Sequence, residues 1–183
     1  GATQITAAEI LDGYAFTSTA ADENAILVNT ANEVTISNST VDKTGDSDGG
    51  DNCNFYGQNA AVLVEGGSTT TLTNLTVTSD AKGANGIFSY GGNGGHNGGD
   101  GDGTKVVIKD SIITTTGDGS GGTMTTGGGI TNASNLTVTT NGQSSAAIRT
   151  DRGGGTVYVD GGTYTSNGLS SPAIYSPAEI HVA

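Results

Sequence analysis

Three groups of residues have types and spacings that could do chemistry. The first is IRTDRGGG, residues 148–155, where Arg149 and Arg152 flank Asp151 and are the only arginines in the chain. A planar guanidinium can clamp a carboxylate-bearing ligand, or it can close on the neighbouring Asp151 and brace a turn. The second group is aromatic: Phe88 and Tyr90 in GIFSY and Tyr175 in PAIYS, whose rings could stack on sugar faces. The third is acidic, with Asp46, Asp48 and Asp51 in DSDGGD and Asp100 and Asp102 in DGDG. Calcium takes roughly six to eight oxygens from carboxylates and carbonyls, and glycine-rich loops let carbonyls turn inward, so calcium is the cofactor these stretches suggest. Neither stretch completes an EF-hand loop or the calcium-binding nonapeptide repeat, and a plain solvated loop is the competing reading. A phosphate cradle does not fit, because no GK[ST] follows and the local charge is negative.

Composition narrows the setting of these groups. Of 183 residues, 32 are glycine, 33% are hydrophobic, and 18 acidic side chains against six basic ones give a formal net charge of -12. Low hydrophobicity with abundant Gly, Thr, Ser and Asn points to a repetitive β architecture or to disorder. No basic face is present to neutralise phosphates, which argues against nucleic acid as a partner. No apolar run is long enough for a helical membrane span, so membrane insertion is not expected. The single Cys53 provides no disulfide framework.

The elements that must position the chemistry show up as internal repeats. VTISNSTVD (34–42), TTLTNLTVT (70–78), VVIKDSIIT (106–114), TNASNLTVT (131–139) and TVYVDGGTYT (156–165) share one pattern. It aligns Ile36, Leu72, Ile108, Ala133 and Val159 in a first column and Val41, Val77, Ile113, Val138 and Tyr164 in a last one. Spacings in the first column are 36, 36, 25 and 26 residues. A second motif precedes each repeat and predicts a further column of Ile26, Val62, Ile87, Met124, Ile148 and Ile174. Two short β segments per period of about 25 residues predict an all-β, single-stranded parallel β-helix of about six coils, each stacking on the next. An antiparallel sandwich would also give regular spacing, but it would not repeat the same columns. Two coils are longer by roughly ten residues. The excess falls between Asp42 and Asn59 and between Tyr90 and Val106, the latter containing GGNGGHNGGDGDG, with His96, Asn93 and Asn97 beside the aspartates. Both are predicted as Gly/Asp-rich loop insertions within one domain spanning residues 1–183.

The segments DENAILV, NFYGQNAAVLV, GANGIFSYG, TTGGGITNASNLTV, SSAAIRTDRGGGTVYVDGGTYTSNG and SPAIYSPAEIHV resemble those of secreted, right-handed parallel β-helix proteins of bacteria. That family is pectate-lyase-like in fold and adhesin-like in description. The resemblance implies an extracellular, secreted or cell-surface module that contacts carbohydrate or a host or neighbouring-cell surface. It also implies right-handed winding and further coils, so the chain reads as the N-terminal part of a longer solenoid. Catalysis is not expected, a polysaccharide lyase or hydrolase of that fold being the alternative. The β-helix lyases need carboxylates holding calcium and an Arg or Lys base in a groove, and the hydrolases need clustered aspartates with GHG and RIK motifs, which are absent here.

Strand alternation places Arg149 on the outer face with Leu27, Leu63, Phe88, Thr125 and Tyr175 as predicted column neighbours. That ladder and its flanking residues supply the predicted ligand-binding set, Phe88, Tyr90, Arg149, Asp151, Arg152 and Tyr175, with cover of Phe88 and Tyr175 by a loop or a neighbouring chain as the competing reading. Outward T-x-T pairs such as Thr76 with Thr78 and Thr137 with Thr139 raise a minor ice-binding alternative, weakened by Asp42 and Ile112. N-x-S/T sequons lie at Asn38, Asn74, Asn132 and Asn135. Open coil ends favour strand pairing with another chain, so self-association into a fibre is a further reading.

Overall fold

A computed structural model describes residues 1–93 and 100–183; His96 and Asn97 lie outside the described residues. Eighteen strands and one short helix are formed by the described residues, and every strand pairing is parallel. One seven-stranded sheet contains β1 (Thr3–Ile5), β4 (Ile26–Asn29), β6 (Val62–Glu65), β8 (Ile87–Tyr90), β11 (Thr123–Thr126), β14 (Ile148–Thr150) and β17 (Ile174–Tyr175), in that order. The second sheet contains β2 (Glu9–Asp12), β3 (Ala15–Ser18), β5 (Val34–Thr44), β7 (Thr69–Asp80), β9 (Lys105–Lys109) and β10 (Ile112–Thr115). It continues through β12 (Gly129–Ser134), β13 (Thr137–Thr140), β15 (Gly155–Asp160), β16 (Thr163–Ser166) and β18 (Glu179–Val182). The helix, α1, spans Asp51–Phe55. The chain visits the two sheets alternately, and each visit adds a strand beside the one laid down a round earlier. Seven strands make up the first sheet, one of them β1, which lies before the first of the repeat columns.

Two of the three predicted columns coincide with the observed register. The first runs Leu11, Ile36, Leu72, Ile108, Ala133, Val159, Val182, and the last runs Phe16, Val41, Val77, Ile113, Val138, Tyr164. Both face inward: Ile36, Leu72, Ile108, Ile113 and Val138 are fully buried in the main core, Val159 joins a smaller cluster with Ile148 and Val157, and Val182 is exposed. Transfer of apolar surface from water drives this, at roughly 25 cal/mol per Å². The column in the first sheet needs one correction. Ile26, Val62, Ile87, Ile148 and Ile174 align, but Thr123 rather than Met124 stands between Ile87 and Ile148. Met124 instead pairs with Phe88 and Arg149, displacing Thr125 from that row. A shift of one residue exchanges the two faces of a strand, and in TMTT every flanking residue is a threonine that suits either face.

Bends within the second sheet are made by residues that tolerate a left-handed backbone. Asn38, Asn74, Asp110 and Asn135 have φ of 53°, 53°, 54° and 50°, and Gly13 and Gly161 turn at the same corner. Short polar side chains and glycine are the residues for which this conformation costs least. The corner is also cross-linked along the stack. Asn74 Nδ2 donates to Asn38 Oδ1 at 2.7 Å, Asn38 Nδ2 to Asp12 Oδ1 at 2.9 Å, and Asn135 Nδ2 to Asp110 Oδ1 at 2.9 Å. Glycine serves a different purpose where the second insertion leaves and rejoins the sheet. A Cβ on Gly91 would lie 2.3 Å from Gly129 N, and one on Gly101 would lie 2.2 Å from Gly128 O, so the rounds touch backbone to backbone there.

The first insertion is not a solvated loop. After Gly49 and Gly50, at φ 87° and 80°, the chain forms α1 and lies across the outer face of the seven-stranded sheet. Beneath it Ala60, Leu63, Phe88 and Met124 form a second small core, with Leu27 and Tyr90 packed against its edge. Thr126 Oγ1 donates to Phe55 O at 2.6 Å, tying the cover to β11.

Candidate functional site

The strongest constellation among the described residues lies where β14 and β17 adjoin, beyond the edge of this cover. Parallel register places Arg149 directly opposite Tyr175, and neighbouring strands are roughly 4.8 Å apart. Asp151 follows on the same side two residues along the chain. These three side chains line a cleft of about 230 Å³ with Ser144, Ser170 and Pro172. Ser144 and Ser170, at φ 53° and 55°, occupy equivalent corners of successive rounds, and Ser144 N donates to Leu169 O at 3.0 Å.

Arg149 is the chemically distinctive member. Its side chain is only 12% exposed, yet its nearest carboxylate oxygen, Asp151 Oδ2, lies at 3.8 Å and its hydrogen bond to Ser144 O is 3.5 Å long. Charge-assisted bonds of full strength are shorter, about 2.7–2.9 Å. Burial pushes the guanidinium below the ordinary arginine pKa, and the nearby Asp151 partly reverses the effect. A guanidinium has five N–H donors and stays protonated in proteins, so this one is a desolvated, weakly compensated cation. An anionic oxygen entering the cleft would meet donors in a fork, with the Tyr175 ring beside them.

No family model, curated protein or solved structure matches this chain.

The other predicted binding residues are distributed differently. Phe88 is fully buried beneath α1, so the expectation that it belongs to an exposed platform is corrected: the insertion covers it. Tyr90 packs edge-on against Tyr56 with ring centroids 5.5 Å apart. Arg152 stands 4.1 Å over the Phe55 ring and 3.4 Å from Asp51, which clamps α1 to the turn after β14. Arg152 is thus a brace, whereas Arg149 faces the cleft. The lining serines and Pro172 were legible only as the repeated SSAAI and SSPAI segments, which place small residues at the same corner of consecutive rounds.

The predicted metal-binding aspartates are dispersed, and several hold turns. Asp46 Oδ1 accepts from Lys82 N at 3.0 Å, while Asp48 N donates to Asp22 Oδ1 at 2.8 Å. Asp102 Oδ1 accepts from Thr104 N at 3.0 Å and from Thr104 Oγ1 at 2.6 Å. Asp51 faces Arg152, and Asp100 is exposed beside Gly128. Among the described residues no three carboxylate, histidine or cysteine groups converge as a metal site would require.

Proposed function

We propose that this chain is an extracellular, adhesin-like module, wound as a right-handed parallel β-helix, that binds an acidic carbohydrate in the Arg149 cleft without transforming it. The winding is supported by the alternation between two all-parallel sheets and by the column register across seven rounds. One observation carries the binding reading: a largely buried guanidinium, weakly paired, opposite an aromatic ring in an open cleft. A uronate or sialic-acid residue offers what the site lacks, a carboxylate for the fork of Arg149 and an apolar ring face for Tyr175. Ser144 and Ser170 hydroxyls flank the position where sugar hydroxyls would lie.

Binding rather than turnover is favoured because Asp151, the carboxylate of the cleft, faces Arg149 and suits positioning better than proton transfer. The test is titration of an acidic and a neutral oligosaccharide panel onto the chain, with and without calcium. Binding of galacturonate or sialyl oligomers, weakened about tenfold or more in Arg149→Ala, is the expected result, since a hydrogen bond to a charged group contributes about 1.5–3 kcal/mol. Release of unsaturated or reducing-end product from polygalacturonate would make the chain an enzyme and overturn the reading. Self-association into fibres with no glycan bound would replace it by the structural alternative.

A further inference from the structure

A second groove crosses the outer face of the other sheet, and none of the predicted ligand- or metal-binding residues lies in it. Register aligns Val107, Asn132, Tyr158 and His181 on consecutive strands β9, β12, β15 and β18. Ser134 and Asp160 form the parallel row two residues further along each strand. Together these six residues line a groove of about 440 Å³, within the range of small-ligand sites.

Three features give the groove a chemistry. Tyr158 is 49% exposed, and one face of its ring is stacked on His181 with centroids 4.8 Å apart and planes 12° apart. On its other side the register places the shorter Asn132 and, beyond it, Val107. His181 is itself held by Glu179 at 2.7 Å, so the stack is braced from behind. The second feature is Asn132, whose Oδ1 is buried without a hydrogen-bond partner. A buried acceptor left unpaired costs about 1–3 kcal/mol, and the soft terminal torsion of asparagine lets the amide turn toward an incoming hydroxyl. The third is charge: Asp160 lines the groove, Glu179 is held against the lining His181, and among the described residues no Lys or Arg lines it.

We infer that this groove is a second carbohydrate subsite, selective for a neutral pyranose, which stacks on the free face of Tyr158 and hydrogen-bonds Asn132, Ser134 and Asp160. A pyranose has an apolar C–H face for the ring and vicinal hydroxyls that both donate and accept, matching an amide, a hydroxyl and a carboxylate. The carboxylates select against uronates, so the groove and the Arg149 cleft divide neutral from acidic sugars between opposite sheets. The inference shares with the proposed function only the class of ligand; the site and its selectivity rest on separate residues.

The test is NMR titration of the whole chain with cellohexaose, mannohexaose and galactohexaose, and separately with trigalacturonate, each to about 1 mM or above, where weak glycan contacts are seen. At least one neutral hexasaccharide is expected to shift the Tyr158 and His181 ring signals. Tyr158→Ala and Asn132→Leu are each expected to weaken that binding about tenfold, Tyr158→Phe to retain it, and Arg149→Ala to leave it unchanged. Both weakening variants lie on the outer face, and an unchanged melting temperature separates lost binding from lost fold. Neutral sugars that fail to bind, that bind Tyr158→Ala equally well, or that shift only signals of the Arg149 cleft would overturn the inference. So would a Tyr158→Ala effect confined to self-association in sedimentation. Failure of the neutral arm with trigalacturonate still bound through Arg149 removes the groove alone; the converse removes the acidic-sugar reading alone.

Discussion

Two partly or fully buried polar side chains make opposite contributions to pH dependence. Tyr164 closes the last core column, and its hydroxyl is buried without a partner. Burial pushes its pKa from 10.0 to about 12, so the native state resists ionisation that the unfolded chain accepts. Because the folded pKa is the higher one, stability is intact below pH 10 and falls as pH climbs toward 12. Tyr164→Phe is expected to be neutral or to stabilise by about 1 kcal/mol in urea unfolding at pH 7, and to abolish that alkaline loss. Lys43 behaves in the reverse sense. It occupies an inner column between Ser18 and Ser79, and Nζ donates to Ala20 O at 2.7 Å and Thr44 O at 2.5 Å. Burial lowers its pKa below 10.5, with Glu23, Asp22 and Asp46 opposing the shift. The native state therefore gives up a proton that the unfolded chain still holds, and stability increases with pH in the window below 10.5. Lys43→Ser orphans two carbonyls and is expected to cost about 1–3 kcal/mol at pH 7, with the wild type gaining further on the variant under alkaline conditions. Equal pH profiles for the two proteins would sink this account.

Among the elements, the corner and the cover are the parts most open to single substitutions. Asn74 sits at φ 53° and bonds to Asn38, so Asn74→Ala loses both the tolerated backbone and the ladder bond. A cost of about 1–2 kcal/mol is expected, and Asn74→Gly should recover the backbone part of it. The α1 cover depends on a packed contact rather than on helix propensity, since five residues cannot sustain a helix in water. Phe88→Ala is expected to cost about 3–5 kcal/mol and to loosen α1, read out as faster thiol labelling of the buried Cys53. Labelling at the wild-type rate would mean that α1 is held by Arg152, Phe55 and Asp51 instead. The strands themselves were legible from their alternation. The helix was not, because DNCNF has no apolar period and forms only where Phe88 and Met124 offer a surface to cover. The one-residue shift at TMTT has the same origin: local alternation leaves the facing ambiguous, and pairing with Ile87 and Ile148 resolves it.

At the scale of the molecule, each round contacts mainly the rounds on either side, so local stability should follow the number of buried neighbours. Amide exchange is expected to be slowest in β5 and β7, which contribute long, alternately buried strands, and fastest in β17 and β18, where Ile174, Tyr175 and Val182 are exposed. Uniform protection from end to end would contradict this picture. Periodicity alone determined that the chain is all-β, which residues form the columns of the second sheet, and where its insertions fall, because alternation and repeat length are local properties. Tertiary structure alone decided what covers the outer face, which arginine braces α1 and which faces a cleft, and that Tyr158, His181 and Asn132 share a groove. Those outcomes depend on contacts between residues a full round or more apart, where strand spacing and register, rather than the neighbouring sequence, set what each side chain meets.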